Sequence, residues 1–127
     1  MSKELEFYFD FGSPTAYLAY CRLGQLAQQY PLDIIYRPML LGGVFKAAAN
    51  SSPVAVPAKG KYMLEQDLPR FAQRYQVELN FNPHFPINTL NLMRGAVLPS
   101  TRAVSKTTRQ RFSRRSGWMA RIWGSRR

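Results

Sequence analysis

The residue of this chain best placed to do chemistry is Ser13, in the run Asp10-Phe11-Gly12-Ser13-Pro14. Gly12-Ser13-Pro14 punctuates the chain, and the apolar spacing that follows opens a helix. Serine is a preferred N-cap, its oxygen accepting from a free first-turn N–H. Proline suits the first helical position, where a missing N–H costs nothing. A helix start also gathers unpaired amides and the positive end of the helix dipole, so an anion is stabilised beside such a hydroxyl. Ser13 is therefore either a plain cap, contributing about 1 kcal/mol of helix stability, or a donor to a bound anion. Asp10 has two readings, a base or a support that holds the junction through backbone amides, and the supporting role is preferred.

Other reactive side chains offer less. Cys21 lies about two turns into the same helix, beyond reach of its start, and reads as a core residue. As the single cysteine of the sequence, it leaves no internal disulfide and no Cys-pair redox or metal motif. His84 stands among prolines with no Cys, Asp or Glu at metal-ligand spacing, so no metal is expected. On residue type alone, Asn50 beside Ser51-Ser52-Pro53 is a loop asparagine, and Lys59 and Lys61 are solvated lysines.

These residues must be held by elements that the hydropathy pattern reveals. From Glu4 to Phe11 the chain alternates: Leu5, Phe7, Phe9 and Phe11 face one way, Glu4, Glu6, Tyr8 and Asp10 the other. That period of two reads as a strand. Ala16, Ala19, Tyr20, Leu23, Ala27 and Tyr30 then form the apolar stripe of a helix of about four turns, with Arg22, Gln25 and Gln29 on the wet side. Asp33 to Arg37 is a second short strand stopped by Pro38. The three together predict a right-handed βαβ unit with parallel strands. Beyond it, Leu40 to Ala49 reads as a short helix. Lys59 to Tyr75 is helical, with Leu64, Leu68, Phe71, Ala72 and Tyr75 on one face and a kink or a new start near Asp67 forced by Pro69. Val77 to Pro86 is extended connection, and Asn88 caps a last helix with Leu90, Met93 and Val97 inward. No further strand is predicted, and two parallel strands are a poor independent sheet.

At 127 residues and 46% hydrophobic the chain suits one modest core. Its charge is uneven. Residues 1–98 carry all seven acids against nine Lys/Arg, a net of +2, whereas residues 99–127 carry nine Lys/Arg and no acid. The formal +11 thus describes the tail rather than the globular part. The N-terminus lacks the basic flank and apolar run of a secretory signal, and no apolar stretch approaches the roughly 20 residues that span a bilayer. A cytoplasmic protein is expected.

The run Phe7-Tyr8-Phe9-Asp10-Phe11-Gly12-Ser13-Pro14, followed by Tyr17-Leu18-Ala19, resembles the opening of the 2-hydroxychromene-2-carboxylate isomerase and kappa-class glutathione transferase family. Arg37-Pro38, Asn50 and Pro57-Ala58-Lys59-Gly60-Lys61-Tyr62-Met63 are similar to its next blocks. Phe85-Pro86-Ile87-Asn88-Thr89 with Leu92-Met93-Arg94-Gly95-Ala96-Val97 is similar to the block after those. The likeness covers about residues 4–98. It implies a DsbA-like thioredoxin fold in which Ser13-Pro14-Thr15-Ala16 stand where redox relatives carry Cys-x-x-Cys. It further implies that Ser13 is catalytic and donates to the thiolate of glutathione, a cosubstrate that supplies the sulfur the protein lacks. Asn50 would bond a polar group there, and Lys59, with Lys61 as the nearby alternative, would pair with a glutathione carboxylate. The implied reaction is isomerisation of an aromatic hydroxychromene carboxylate, with glutathione transfer as the near alternative. Full-length relatives are implied to be homodimers. Phe11, Tyr17 and Phe45 either line the apolar acceptor site or belong to the core.

From Leu98 onward the likeness stops. The expected organisation is a partial thioredoxin domain over 1–98, its C-terminal strands missing, and a basic tail over 99–127 that is disordered or derived from a frameshift. Arg109, Arg111, Arg114, Arg115, Arg121, Arg126 and Arg127 interleave with Phe112, Trp118 and Trp123. Such a stretch can also bind nucleic acid or an anionic membrane, a reading ranked below plain disorder. An inactive fragment that associates through its unpaired edges is a third possibility.

Overall fold

The computed structural model describes residues 2–97 and 119–124. Strand β1 (Lys3–Phe9), helix α1 (Pro14–Gln29) and strand β2 (Leu32–Pro38) form the βαβ unit. The strands pair in parallel, Lys3 opposite Leu32 through to Phe9 opposite Pro38. The predicted alternation holds along β1: Leu5 and Phe7 are half-buried and Phe9 is buried, while Glu4, Glu6 and Tyr8 are exposed. The strand ends at Phe9, two residues before the predicted end, because Asp10 to Gly12 form a turn closed by the Ser13 N–H donating to the Asp10 carbonyl. On the exposed face Arg37 donates to Glu6 from the neighbouring strand, holding the Glu6 carboxyl below its usual range.

Helices follow: α2 (Leu41–Ala47), α3 (Pro57–Tyr62), α4 (Leu68–Tyr75) and α5 (Leu90–Val97). A single π-type turn over Met63–Asp67 joins α3 to α4. A new α-helix begins at Leu68, with Asp67 at its N-cap and Pro69 in its first turn, as the proline predicts, while Tyr62, Met63, Asp67 and Leu68 all keep right-handed helical dihedrals. The wide turn lies where the proline has no N–H to give and its ring would meet the preceding turn. Among the described residues the sheet has two strands. The result is an α/β fold in which a βαβ unit leads into helices.

Two helices end with the same device. After α4, Gln76 adopts a left-handed conformation (φ 55°), its N–H donating to the Gln73 carbonyl and the Val77 N–H to Ala72. After α2, Ala49 does so (φ 49°), its N–H donating to Lys46 and the Asn50 N–H to Phe45. Both are Schellman closures made without the glycine that usually relieves the left-handed position.

The core is centred on Phe9, Phe11, Tyr17, Leu18, Leu68, Ala72, Met93 and Ala96. Here the structure corrects three sequence readings. Tyr30 is 61% exposed, whereas Tyr17 and Leu18 are buried. Arg22 and Gln25 face α4 rather than solvent: Arg22 lies 5.5 Å from the Tyr75 ring centre, and the Gln25 side-chain amide donates to the Tyr75 carbonyl at 2.8 Å. Packing of a second helix on α1 widens its buried arc beyond the single stripe read from spacing. In α5, Val97 is exposed and Ala96 takes the inward position.

Part of the tail also packs into the core. Residues 119–123 are helical, with Met119 and Trp123 at 1% and 0% exposure. Trp123 packs edge-on against Phe85 and tilted against Phe81. The Asn80 N–H donates to the Trp123 carbonyl and the Asn80 side chain to that of Gly124. Residues 119–124 are held by these contacts, Met119 and Trp123 supplying buried apolar surface and Asn80 two hydrogen bonds. The interleaving of Phe112 and Trp118 with basic residues falls outside the described residues. No helix among the described residues is long and apolar enough to cross a membrane.

Candidate active site

Ser13 is the N-cap of α1, with extended backbone (φ −95°, ψ 115°) and Pro14 at the first helical position. Its Oγ accepts from the Ala16 N–H at 3.1 Å, and its carbonyl accepts the Tyr17 N–H. Pro14 has no N–H, so Thr15 carries the first-turn amide without an intrahelical acceptor. The Ser13 and Thr15 hydroxyls lie 2.9 Å apart and either can donate. Ser13 is buried in the sense of limited exposure, 8%, yet it lies on the wall of a cleft of about 710 Å³.

Asp10 holds this junction in place. The residue is 4% exposed, and each bond its carboxylate makes is accepted from a donor. Oδ1 takes the Gly12 N–H at 2.8 Å and the Thr89 hydroxyl at 2.6 Å, while Oδ2 takes the Leu41 N–H at 2.8 Å. Three walls of the cleft meet at this group. Leu40, the N-cap of α2, makes no side-chain cap bond, so Asp10 caps that helix from outside. Thr89 occupies the corresponding place at α5, its carbonyl accepting the Met93 N–H. With the Thr89 hydroxyl committed to Asp10, Asn88 Oδ1 accepts the Leu90 N–H instead. Gly12 is required by close approach: a Cβ there would stand 2.9 Å from Thr89 Cγ2 and 3.4 Å from Asp10 Oδ1. Sequence spacing alone pairs none of positions 10, 41 and 89.

The cleft runs from this junction over a mainly apolar surface that includes Tyr8, Met39, Phe45, Met63, Phe85 and Ile87. Phe45 lines it; Phe11 and Tyr17 are core residues instead. Asn50, Lys59 and Lys61 are exposed and are not among the lining residues, although their neighbours Ser52 and Pro53 are. Asn50 has local work: its N–H closes α2, and its Oδ1 accepts the Ser51 N–H at 2.8 Å. Ser13 and Phe45 are thus brought together, and Asn50 and the two lysines stand outside. Cys21 is half-buried in α1, and burial pushes its thiol up. His84 is exposed in the loop after Asn82, whose side chain accepts its N–H. No group of three or more metal-ligating side chains occurs among the described residues.

A βαβ unit delivers a capped helix N-terminus to the wall of this apolar cleft, and the chain belongs to the DSBA-like thioredoxin domain family, which it matches over residues 4–117. Within that family it is related to isomerases and kappa transferases. It is 40% identical over 93 residues to the 2-hydroxychromene-2-carboxylate isomerase of Sphingobium xenophagum, covering 72% of this chain and 47% of that protein. It is 33% identical over 95 residues to glutathione S-transferase kappa 1 of Rattus norvegicus, covering 71% of this chain and 42% of that one. A solved 2-hydroxychromene-2-carboxylate isomerase structure superimposes with a TM-score of 0.73 at 30% identity, over 96% of this chain and 57% of that chain. The chain spans about half the length of the curated relatives it matches.

The fit of glutathione to these residues divides in two. A thiolate suits the Ser13 hydroxyl and the Thr15 amide, and the cleft volume lies within the range of small-ligand sites. For the two carboxylates there is no Lys or Arg among the described lining residues, and Lys59 and Lys61 stand outside the cleft on α3.

Proposed function

We propose that the chain is a glutathione-dependent isomerase of the 2-hydroxychromene-2-carboxylate type. The single observation that carries this reading is the Ser13 hydroxyl, capped into α1 and opening onto an apolar cleft, in a chain 40% identical to such isomerases. Bound glutathione would supply a sulfur nucleophile. Ser13 donates its hydroxyl proton toward that sulfur, and the α1 N-terminus favours its anionic form. Asp10 keeps Ser13 at the cleft mouth, and Phe45, Met39 and Ile87 exclude water from an aromatic acceptor. Lys59, with Lys61 as alternative, pairs with a carboxylate of the peptide, and Asn50 bonds a polar group at the outer end.

The apolar lining favours a second reading, a kappa-type transferase that takes a neutral electrophile. An aromatic carboxylate would bring a charge for which the described lining holds no cation. Titrating the full chain with glutathione while following thiolate absorbance and heat, beside Ser13→Ala, tests the shared claim. Binding with a lowered thiol pKa in the parent and not in the variant is expected; an unperturbed thiol in both refutes it. Product analysis with a hydroxychromene carboxylate and with a neutral electrophile then separates isomer from conjugate.

A further inference from the structure

The geometry points to Trp123 as a positioning residue for the Ser13 turn, acting through the backbone of Phe11. The indole Nε1–H donates to the Phe11 carbonyl at 2.9 Å, across 112 positions of sequence, in a buried setting. On the other side of the same residue, the Phe11 N–H points to Met93 Sδ at 3.4 Å. Phe11 is the link between Asp10, which holds three elements together, and Gly12-Ser13, which present the hydroxyl. Its carbonyl lies past the end of β1, where the sheet no longer provides a donor. A buried carbonyl without a partner is strongly disfavoured, so the indole satisfies a group that the turn itself leaves open.

The ring does a second job. Phe85, whose centre lies 5.5 Å from that of Trp123, is also part of the cleft wall. One side chain thus braces the turn carrying Ser13 and packs behind another residue that lines the cleft. The segment that carries it is anchored independently by Asn80, through the Trp123 and Gly124 carbonyls.

This inference rests on the proposed role of Ser13 for its functional meaning, but its test is read without ligand. Amide-resolved hydrogen exchange is measured on the full chain, on Trp123→Phe and on Ala72→Gly, a variant that weakens α4 without touching the turn. Trp123→Phe keeps an aromatic ring against Phe81 and Phe85 and deletes the donor. Exchange at Gly12 and Ser13 is expected to rise roughly tenfold in Trp123→Phe beyond any change at Leu18, and not in Ala72→Gly. A uniform rise in both variants, or no change at Gly12 and Ser13, overturns the proposal. Should Trp123→Phe fail to fold, the indole signal of the parent chain decides, with Trp118→Phe used for assignment. A Trp123 Nε1–H protected from exchange supports the bond, and an unprotected one refutes it. With glutathione added, the thiol titration midpoint should move upward in Trp123→Phe. A parent chain that fails to perturb the thiol refutes the isomerase reading and leaves the exchange result to judge Trp123 separately.

Discussion

Asp10 offers the most direct measure of how the site is held. In Asp10→Ala, the Gly12 and Leu41 N–H groups and the Thr89 hydroxyl all lose their acceptor. A hydrogen bond to a charged group is worth about 1.5–3 kcal/mol, and a buried donor left unpaired costs about 1–3 kcal/mol. Three such losses are not additive, because water can enter the space left by the carboxylate, so about 3–5 kcal/mol is expected in sum. That is a large fraction of the roughly 5–15 kcal/mol that holds a domain folded. Asp10→Asn separates charge from geometry. In one orientation the amide oxygen accepts from Gly12 and Thr89 while its NH2 group faces the Leu41 N–H. In the other, the NH2 group faces the Gly12 N–H. Either way one backbone donor meets a donor, and the expected cost is about 1–3 kcal/mol. Urea unfolding of the three chains measures both values, with the slope checked for constancy. An Asp10→Ala chain within about 1 kcal/mol of the parent would refute the reasoning. So would an Asp10→Asn chain as unstable as the alanine variant, because the cost would then follow the charge and not the number of donors.

Further outcomes follow from other contacts. Ser13→Ala removes the cap bond to Ala16 and should lower stability by about 1 kcal/mol in the same urea assay, apart from any effect on glutathione. Ala49→Gly and Gln76→Gly should each raise stability by about 0.5–1 kcal/mol, since both positions have positive φ in helix closures; a loss in either would deny the strain. Burial pushes the Tyr36 hydroxyl from 10.0 up to about 12. A group whose folded pKa is raised stabilises fully below its unfolded pKa, and that contribution is lost as pH rises from 10 toward 12. A lower urea midpoint at pH 12 than at pH 10 is expected, and a chain equally stable at both ends of that window refutes the assignment. The Cys21 thiol, raised by burial, should alkylate more slowly than free glutathione at neutral pH, read by mass spectrometry.

The βαβ unit was legible because its signals are local. Strict alternation to Phe9, the Ser13-Pro14 start and the β-branched run at Ile34-Ile35 each report on their own backbone. Ser13 was legible for the same reason, since a cap is set by its immediate neighbours. The Asp10 node was only half legible: a supporting role could be read, but its partners at 41 and 89 depend on how α2 and α5 pack. Asn88 shows the limit well. It bonds a first-turn N–H of α5, as spacing suggests, but from outside the cap position, because Thr89 is drawn to Asp10. The wet side of α1 misled because α4 covers Arg22 and Gln25, a tertiary contact that leaves no periodic trace. The burial of Trp123 was not legible either, because it depends on Asn80, Phe81 and Phe85, which are distant in sequence.

The paired hydroxyls at the start of α1 carry a consequence for how Ser13 would meet an incoming acceptor. One lone pair of its oxygen already receives the Ala16 N–H, and the neighbouring Thr15 oxygen lies 2.9 Å away with the proton on either side. Once an acceptor claims the serine proton, Thr15 must rotate its own hydrogen toward Ser13 to keep their contact. The serine oxygen then receives two hydrogen bonds while giving one, and each received bond polarises its O–H further. The threonine thereby works as a proton-ordering neighbour, and replacing it with valine would leave a serine still capped but a weaker donor.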